Sequence, residues 1–450
     1  MAIVAPFKGL TYDYSERSDF DALVAPPYDV ISEEEQEAYY QTDPHNVIRL
    51  VLGRKKTGDS DWDNRYTRAA DDFKRWESEG VIFRADSPHM YVTSLTYTPG
   101  NGEALRTRWG IIALVRIEDE DSAVILPHER TFSAHKEDRL KLMRACNAQL
   151  SPVFSLYEDP DKAIIHSLRK VIDFPPEISF DLHDGTNHCM WIIQNPRLFK
   201  RVSDAMKDKS ILIADGHHRY ETARNFRNLM RARYGRQPDR SYEYVMMYLS
   251  NMHDEGLAIL PSHRLIKNVP DFALEPFLEK IRTWFHITKF PCSEDDVSKG
   301  CPALKQRLEH EGRGDSAIAF YWNKAGQIYL FALREGARGE MGDDLDASLK
   351  KLDVLVLSRF ILQSALGFTK EDLDNEEIFH YQSSFKTALS EVGSGNYDMA
   401  FLLNPTKMDQ VKEVTGNSLV MPRKSTYFYP KVLTGLVFNK IIPNEIIHVP

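Results

Sequence analysis

The order of apolar and polar positions along the chain predicts a mixture of strands and helices. Two apolar runs, Val153–Tyr157 and Ile211–Ala214, are short and bounded by polar or turn-forming residues, which is typical of buried strands. From Tyr220 onward, apolar residues recur at helical spacing with arginines between them, so a helix is expected after the second strand. A strand therefore runs into a helix through a very short turn.

Further strands and helices are predicted on both sides of this turn. Strands rich in Val, Thr, Tyr and Ile at Met90–Thr98 and Arg106–Ile117 are expected to pair as a hairpin through the turn Pro99–Gly102. An acidic helix is expected after the N-cap Ser32. The other predicted elements are helices at Asp63–Glu79, Lys136–Ala148 and Asp353–Leu366 and strands at Ala317–Tyr321 and Ile328–Leu333.

Chain length and the order of the elements predict three domains. A chain of 450 residues exceeds the usual size of one domain. We expect an N-terminal α+β domain at 1–125, a core domain at 126–265 that carries the strand-to-helix turn, and a C-terminal α+β domain at 266–450. The predicted fold class is α/β with mixed α+β character.

Composition narrows the classes of partner. The chain is 42% hydrophobic and 27% charged, as in ordinary globular proteins, and its net charge of −9 disfavours a nucleic-acid partner while allowing a local pocket for a phosphorylated small molecule. No apolar run approaches the roughly 18 residues of a membrane span, so a cytoplasmic protein without membrane contact is expected. A homo-oligomer is compatible with the sequence. Cysteines 146, 189, 292 and 301 lie far apart, which suggests neither a zinc site nor a disulfide framework.

The turn after Ile211–Ala214 holds the densest group of chemically active side chains. Asp215 ends the strand, Gly216 allows a sharp turn, and His217, His218 and Arg219 open the helix. The first amide N–H groups of a helix are unpaired within it and carry the positive end of its dipole, which attracts phosphate or carboxylate. The arginine adds a fork for the same anion, and histidine titrates near neutral pH. The motif points to acid–base or phosphate chemistry, although an Asp-Gly turn also commonly caps a helix.

Two segments before this turn offer further candidates. His128 and Glu129 lie at the end of a predicted strand, where the carboxylate could act as a general base, and Arg139 follows in the same polar stretch. Earlier in the chain, the double proline of Ala25–Asp29 fixes the backbone, so Tyr28 and Asp29 could be held rigidly at a site. A rigid surface loop would show the same pattern.

A third candidate segment, Met421–Lys431, lies near the C-terminal end of the sequence. It combines cations and hydroxyls, including Lys424, Ser425, Thr426 and Lys431, with three aromatic residues. Cations and hydroxyls in a loop favour phosphate, and the aromatic rings could stack on a base. An edge strand ended by Pro430 would explain the segment equally well.

Several well-known motifs are missing from the sequence. It contains no G-x-x-x-x-G-K-[ST], no G-x-G-x-x-G, no H-E-x-x-H and no G-x-S-x-G. Walker-type, Rossmann, zincin and α/β-hydrolase chemistry are therefore disfavoured.

Five sequence blocks together resemble the bacterial and archaeal family known as domain of unknown function 1015. These blocks are Ala25–Ile31, Leu126–Thr131, Ser151–Tyr157, Ala214–Glu221 and Met421–Lys431. They span nearly the whole chain, and on them it is identified as a member of that family.

Asp215–Arg219 also resembles, more remotely, the nucleotide-phosphate box of the superfamily of ParB, sulfiredoxin and the ParB-like free-serine kinase. This resemblance implies a ParB/sulfiredoxin-like core in which a glycine-led turn binds nucleotide phosphates and an Asp-Gly-His turn carries a catalytic acid. The turn lacks the cysteine of sulfiredoxin, which removes that chemistry. The basic helix-turn-helix expected beside the box of ParB is also missing, which argues against DNA partition.

The resemblance favours a phosphoryl-transfer enzyme that acts on a small hydroxylated amino acid or on its phosphate ester. It implies ATP or ADP with Mg²⁺ as the nucleotide and a role in serine metabolism. The catalytic candidates are Asp215, His218 and Glu129. The candidate phosphate and nucleotide ligands are Gly216, His217, Arg219, Lys424, Ser425, Thr426 and Lys431, and the candidate substrate-binding residues are Tyr28, Asp29, His128 and Arg139. No resident metal is predicted.

Two other hypotheses remain open at this point. In a metal-dependent phosphate-ester hydrolase, Asp215, His217 and His218 would ligate the metal, although adjacent histidines rarely face one ion. A non-catalytic nucleotide-binding regulatory protein would bind tightly without turnover.

Overall fold

The computed structural model describes residues 1–15, 19–99, 104–129, 133–269, 272–291, 293–322, 324 and 327–450. The strands, numbered in chain order, are β1 (Val4–Ala5), β2 (Leu10–Tyr12), β3 (Ile82–Arg84), β4 (Met90–Tyr97), β5 (Arg106–Arg116), β6 (Ile125–Leu126), β7 (Ala148–Gln149), β8 (Val153–Tyr157), β9 (Ile178–Asp181), β10 (Asn187–Ile193), β11 (Ile211–Asp215), β12 (Tyr244–Asn251), β13 (Ala258–Leu260), β14 (His263–Ile266), β15 (Phe285–Phe290), β16 (Ala317–Trp322), β17 (Gln327–Leu333), β18 (Phe379–Gln382), β19 (Met399–Leu403), β20 (Tyr427–Tyr429) and β21 (Asn439–Lys440).

The α-helices are α1 (Glu33–Thr42), α2 (Ile48–Val51), α3 (Arg65–Ser78), α4 (Ser133–Cys146), α5 (Ala163–Ser167), α6 (Arg169–Ile172), α7 (Pro196–Met206), α8 (His217–Tyr234), α9 (Leu274–Ile281), α10 (Glu294–Ser298), α11 (Pro302–Glu311), α12 (Ala347–Lys350), α13 (Asp353–Val356), α14 (Lys370–Leu373), α15 (Phe385–Gly393) and α16 (Met408–Gly416). Short 3₁₀ turns lie at Phe20–Ala22, Tyr28–Val30, Ser241–Glu243 and Ala337–Met341, and a π-helical segment, Leu357–Ala365, continues α13.

The chain divides into two compact units. The first unit contains Met1–Pro127, Thr131–Ala258 and Pro430–Pro450, and the second contains His128–Arg130 and Ile259–Tyr429. Each unit is thus assembled from segments that are distant in the sequence.

A mixed sheet organises the first unit. Nine of the described strands take part, eight of them in the order β6-β11-β8-β12-β5-β4-β10-β9. The pairs β6/β11 and β8/β12 are parallel and the other neighbours are antiparallel. Strand β1 pairs with β5 at Leu114 and Val115, beyond the stretch that pairs with β4.

Helix α8 packs on this sheet through one apolar face. Its residues Tyr220, Ala223, Phe226 and Met230 belong to the same core cluster as Ile213 of β11. Burial of a large apolar side chain contributes roughly 1.5–3 kcal/mol, so this face fixes the helix against the strand that precedes it. Helix α4 packs in turn against α8 and α3.

An antiparallel sheet organises the second unit. Its strand order is β15-β17-β16-β19-β14-β18. One core cluster includes Leu304, Ala319, Leu389 and Leu402, which brings α11 and α15 onto the sheet. A row of packed rings, formed by Phe277, Phe320, Phe331 and Phe401, supplies further apolar packing.

The mixed α/β fold class predicted from the sequence is confirmed. The predicted strand at Val153–Tyr157 has the bounds of β8, and the predicted hairpin strands correspond to the antiparallel pair β4/β5. Ser32 caps α1 by accepting a hydrogen bond from the Glu35 amide (3.2 Å). Residues 100–102 of the predicted hairpin turn lie outside the described residues, as do Arg130, Thr131 and Cys292.

The division into units differs from the three predicted domains. Strands from 1–125, such as β4 and β5, share one sheet with β8, β11 and β12 from 126–265, so the predicted boundary at 125/126 does not separate two compact bodies. The segment 430–450 also belongs to the first unit rather than to a C-terminal domain. Turn signals mark the ends of elements, whereas pairing between distant strands decides which elements form one body.

The cysteines and the helices bear on two expectations from the sequence, the absence of a disulfide framework and the absence of a membrane span. Cys146 and Cys301 are buried, and Cys189 is partly exposed. Among the described helices, none has both the length and the apolar character needed to cross a membrane.

Gly110 in β5 permits close packing against Tyr248 of β12. A Cβ atom at position 110 would lie 2.1 Å from Cζ of that ring. We therefore expect Gly110→Ala to lower the free energy of unfolding of the protein by about 1–3 kcal/mol through overpacking, as measured by chemical denaturation. In a protein that also carries Tyr248→Leu, which removes the ring, Gly110→Ala should lower the free energy of unfolding much less. An equal loss of stability with and without the ring would contradict this explanation.

Candidate functional site

The turn between β11 and α8 presents Asp215 at the end of a strand in the first unit. The register between β8 and β11 shifts between Ile213 and Asp215, which places one extra residue in β11. Such a bulge re-aims the side chain that follows it. Gly216 then adopts φ +87°, and a Cβ there would lie 2.6 Å from Nε of Arg219. Both the backbone angle and the close guanidinium therefore require glycine.

The carboxylate of Asp215 lies between two cations. Its Oδ2 is 2.5 Å from Nη2 of Arg219, and its Oδ1 is 2.6 Å from Nζ of Lys431. The three side chains are only 13%, 9% and 14% exposed, respectively. Burial alone would raise the pKa of Asp215, but Lys431 and then Arg219 hold it well below its usual range, so the carboxylate is ionised at neutral pH.

Arg219 has a second contact that anchors it to the sheet. Its Nη1 donates a hydrogen bond to the carbonyl oxygen of Pro152, directly before β8. The guanidinium therefore ties the start of α8 to the end of β11 and the beginning of β8. Its orientation is fixed on two sides by these hydrogen bonds.

A small cavity of about 50 Å³ adjoins Arg219 in the first unit. Tyr28, Arg139, Ser151 and Thr222 are among its lining residues. The guanidinium carbon of Arg139 lies 3.9 Å from the centre of the Tyr28 ring, and burial raises the pKa of Tyr28 to about 12, so this phenol stays protonated at neutral pH. The Thr222 hydroxyl is fully buried and has no hydrogen-bond partner among the described residues.

Arg139 is held in place by a carboxylate that the sequence interpretation did not select. Asp138 accepts from Nε of Arg139 (2.7 Å) and from the Tyr66 hydroxyl (2.6 Å), and Arg139 also donates to the Val51 carbonyl (2.7 Å). Burial opposes ionisation of Asp138, yet Arg139 and Tyr66 hold its pKa below the usual range. Asp138 precedes Arg139 directly, but only the fold shows that it orients this cation.

The two histidines of the turn are placed differently. His217 is 8% exposed and lines a separate cavity of about 80 Å³ with Tyr220 and Arg224, and its charge interaction also lowers the pKa of Asp215. His218 is partly exposed on α8. In the part of the chain that the structure describes, no group of three or more His, Cys, Asp or Glu side chains is arranged to hold a metal ion.

His128 and Glu129 lie in the second unit, where they fasten the segment that follows Met421. Oε1 of Glu129 accepts from the amides of Ser425 (3.2 Å) and Thr426 (3.4 Å), and Nε2 of His128 lies 2.8 Å from the Thr426 hydroxyl oxygen. The observed contacts of Glu129 thus close a turn. A catalytic role for this carboxylate stays a prediction.

The structure groups the sequence-predicted site residues into two sets. In the first unit, Asp215, Gly216, Arg219 and Lys431 meet at the turn, and Tyr28 and Arg139 line the adjoining cavity. In the second unit, His128, Glu129, Ser425 and Thr426 contact one another, and Lys424 forms part of the same turn with φ +54°. Asp29 is exposed.

A family model described as "Protein of unknown function (DUF1015)" matches residues 4–355 of the chain. The chain belongs to this family. The family identification made from the sequence blocks is therefore confirmed. None of the curated proteins matches the chain.

Several solved structures are similar to the DUF1015 chain at low sequence identity. A free serine kinase variant in complex with ADP is 12% identical with a TM-score of 0.35, covering 74% of this chain and 93% of its own. A conserved hypothetical protein from Pyrococcus furiosus is 13% identical with a TM-score of 0.31, covering 70% and 90%. SbnI with a C-terminal truncation, from Staphylococcus aureus, is 11% identical with a TM-score of 0.33, covering 72% and 85%. These similarities alone assign no activity to this chain.

Removal of Lys431 tests the energetic importance of the paired carboxylate. We expect Lys431→Met to lower the free energy of unfolding by about 1–3 kcal/mol at pH 7, because Asp215 stays buried with one cation fewer. Since the folded pKa of Asp215 is depressed, the pairing stabilises the protein above the unfolded value of 3.8 and is lost as the pH falls below it. The difference between the two proteins should therefore shrink in acid.

Lys440→Met is the matched control for this measurement. Lys440 pairs with Glu77 at 2.6 Å, but the two side chains are 33% and 29% exposed. A more exposed pair contributes only about 0–1 kcal/mol. Equal effects of the two substitutions in urea denaturation would contradict the importance assigned to Lys431.

Proposed function

We propose that this protein transfers a phosphoryl group between a nucleotide and a small hydroxylated amino acid, with Asp215–Arg219 as the reacting centre. The observation that carries the proposal is the ionised carboxylate of Asp215, held between Arg219 and Lys431 at the start of the 18-residue helix α8. The carboxylate lies within hydrogen-bonding distance of both cations, next to the N-terminus of the helix.

These groups suit the charge of a phosphoryl group in transfer. The helix N-terminus attracts phosphate oxygens, Arg219 offers a planar fork, and Lys431 adds a point charge. Phosphoryl transfer depends mainly on positioning and on neutralising the charge of the transferred group. Arg219 is already oriented by the Pro152 carbonyl, so little reorganisation is needed to meet that charge.

Asp215 would orient and deprotonate the hydroxyl of the acceptor. In the forward direction, the hydroxyl oxygen forms a bond to the terminal phosphorus, the bond from that phosphorus to the nucleotide oxygen breaks, and the nucleotide leaves with the electron pair. The hydroxyl proton passes to the Asp215 carboxylate. A phosphate bound beside Lys431 and Arg219 would share their positive charge, which would weaken their electrostatic hold on Asp215, raise its pKa and improve it as a base.

The cavity limits which part of the ligands enters beside Arg219. At about 50 Å³ it has room for a phosphoryl group or one or two waters, whereas a whole nucleotide is far larger. The base and ribose would therefore lie outside it. The unpartnered Thr222 hydroxyl and the Arg139 guanidinium could contact a phosphate oxygen or the carboxylate of an amino acid.

Magnesium would accompany the nucleotide in this proposal. Mg²⁺ prefers oxygen ligands and is commonly held by one or two carboxylates together with phosphate oxygens. Asp215 would supply such a carboxylate. The ion would neutralise charge on the phosphate oxygens, while orientation of the acceptor hydroxyl remains the task of the protein side chains.

Asp215→Asn tests the proposed base. With serine and either ADP or ATP as substrates, we expect turnover to fall at least a hundredfold, on the order of 3 kcal/mol of barrier, because the amide preserves the shape but cannot take the proton. Asp204→Asn, which alters an exposed ion pair on α7, is the matched control and should keep full activity. Normal turnover by the Asp215 variant would remove this residue from the mechanism.

Arg219→Ala tests the phosphate contact. The variant should bind ADP more weakly by about 1.5–3 kcal/mol in isothermal titration calorimetry, and Arg219→Lys should recover only part, because an ammonium lacks the fork. Arg224→Ala, on the same helix but beside the cavity of His217, should bind normally. If ADP affinity is unchanged in Arg219→Ala, the phosphate lies elsewhere.

Two outcomes would favour the other hypotheses raised by the sequence. Tight ADP binding without turnover of any tested amino acid would indicate a regulatory nucleotide-binding protein. A stoichiometric transition metal in the purified protein, lost in His217→Ala, would favour a metal-dependent hydrolase.

A further inference from the structure

A second polar cavity, of about 250 Å³, lies within the second unit and shares no residue with the site proposed above. It is lined by the loop 312–316 before β16, the loop 404–407 between β19 and α16, Arg338, and Lys351 with Asp353. All of these residues belong to the second unit. The cavity therefore requires only the fold of that unit.

The antiparallel pair β16/β19 brings the two loops together. Ile318 pairs with Leu403, so the residues before β16 and after β19 lie at the same edge of the sheet. Gly312 allows the loops to touch, because a Cβ there would lie 2.1 Å from Nδ2 of Asn404. The close approach of the loops is thus built into the sequence at this glycine.

Cations outnumber carboxylates around the cavity. Its lining includes the cations Arg313, Arg338, Lys351 and Lys407, against the carboxylates of Asp315 and Asp353. Arg338 pairs with Asp315 (Nε–Oδ1 3.1 Å), and Lys351 pairs with Glu413 (2.6 Å). Arg313 and Lys407 make no ion pair within the described part of the chain. Helix α16, nine residues long, begins directly after Lys407 and adds the positive end of its dipole.

Asp353 is linked to one of these cations, Arg338, through the hydroxyl of Ser316. The Ser316 hydroxyl donates to Oδ1 of Asp353 (2.5 Å) and accepts from Nη2 of Arg338 (2.9 Å). Burial raises the pKa of Asp353 to about 6, although Arg338 and Lys407 oppose the rise. The groups that face Asp353 are Ser316 and Asp315 before β16, Arg338, Lys351 beside it in the chain, and Lys407 before α16.

We propose that this cavity binds a small dianion, a phosphate group either free or carried as a monoester, with Arg313, Arg338 and Lys407 as its cationic contacts. The volume is below the roughly 300–1,000 Å³ of pockets for drug-sized ligands, so the occupant is compact. The unpaired cations and the helix N-terminus favour an anion over a cation or a neutral molecule. This site is independent of the proposed phosphoryl transfer at Asp215.

Sulfate and inorganic phosphate are the probes for this site. Isothermal titration calorimetry of the full chain at constant ionic strength should show saturable sulfate binding that the double variant Arg313→Gln/Lys407→Gln weakens at least tenfold. Lys305→Gln removes an exposed charge of α11 that does not line the cavity, and it should bind as the natural protein does. Arg219→Ala should likewise retain this binding, which separates it from the Asp215 site.

Three results would overturn the proposal. They are the absence of saturable binding, equal weakening by Lys305→Gln, and unchanged affinity in the double variant with its fold intact by thermal melting. Comparison of inorganic phosphate with glycerol 3-phosphate distinguishes the two sources of the anion. Tighter binding of the ester indicates a monoester ligand, and tighter binding of inorganic phosphate indicates the free anion.

The pH dependence of sulfate binding provides a second readout. Sulfate stays dianionic over this pH range, so a change of its affinity near pH 6 arises from titration of a group on the protein. As the pH falls through about 6, Asp353 gains a proton and ceases to repel the anion, and the affinity should rise. Asp353→Asn should bind sulfate tightly at neutral pH and lose this dependence, whereas an unchanged pH profile in that variant would place the anion away from Asp353.

Discussion

The buried carboxylate of Asp215, compensated by Arg219 and Lys431, is the constraint on which the organisation of the first unit's site depends. A carboxylate that is 13% exposed must be paired, because desolvation of an isolated charge costs several kcal/mol. The two partners come from very different places in the chain, one four residues later and the other 216 residues later. The Lys431 pair is thus one of the contacts that join the segment 430–450 to the first unit, together with the pairing of β21 with β7.

The backbone around Asp215 allows this carboxylate to be paired. The extra residue in β11 and the positive φ of Gly216 turn the chain sharply enough for Arg219 to reach back to Asp215. The same guanidinium reaches the carbonyl before β8, so one side chain links helix α8 to the two strands β8 and β11. These contacts orient the guanidinium without a ligand.

The polar clusters of the second unit illustrate two uses of charge. Glu129 accepts hydrogen bonds from the backbone amides of Ser425 and Thr426, and these bonds satisfy the amide donors of the turn. Around Asp353, by contrast, the cations that line the cavity exceed the carboxylates, and Arg313 and Lys407 make no ion pair among the described residues. Local pairing explains the first cluster, whereas the charge excess of the second matches the anionic ligand proposed for that cavity.

The sequence by itself determined the local elements and the position of the candidate functional turn. Apolar runs and helical spacing predicted β8, β11 and α8, and the residues from Asp215 to Arg219 were recognisable because their chemistry is contiguous along the chain. Only the tertiary structure decided that Lys431 is the second partner of Asp215, that Asp138 orients Arg139, and that 1–125 and 126–265 share one sheet. Short-range propensity and periodicity act over a few residues, whereas these contacts join distant segments whose pairing depends on strand order and on the burial of charge.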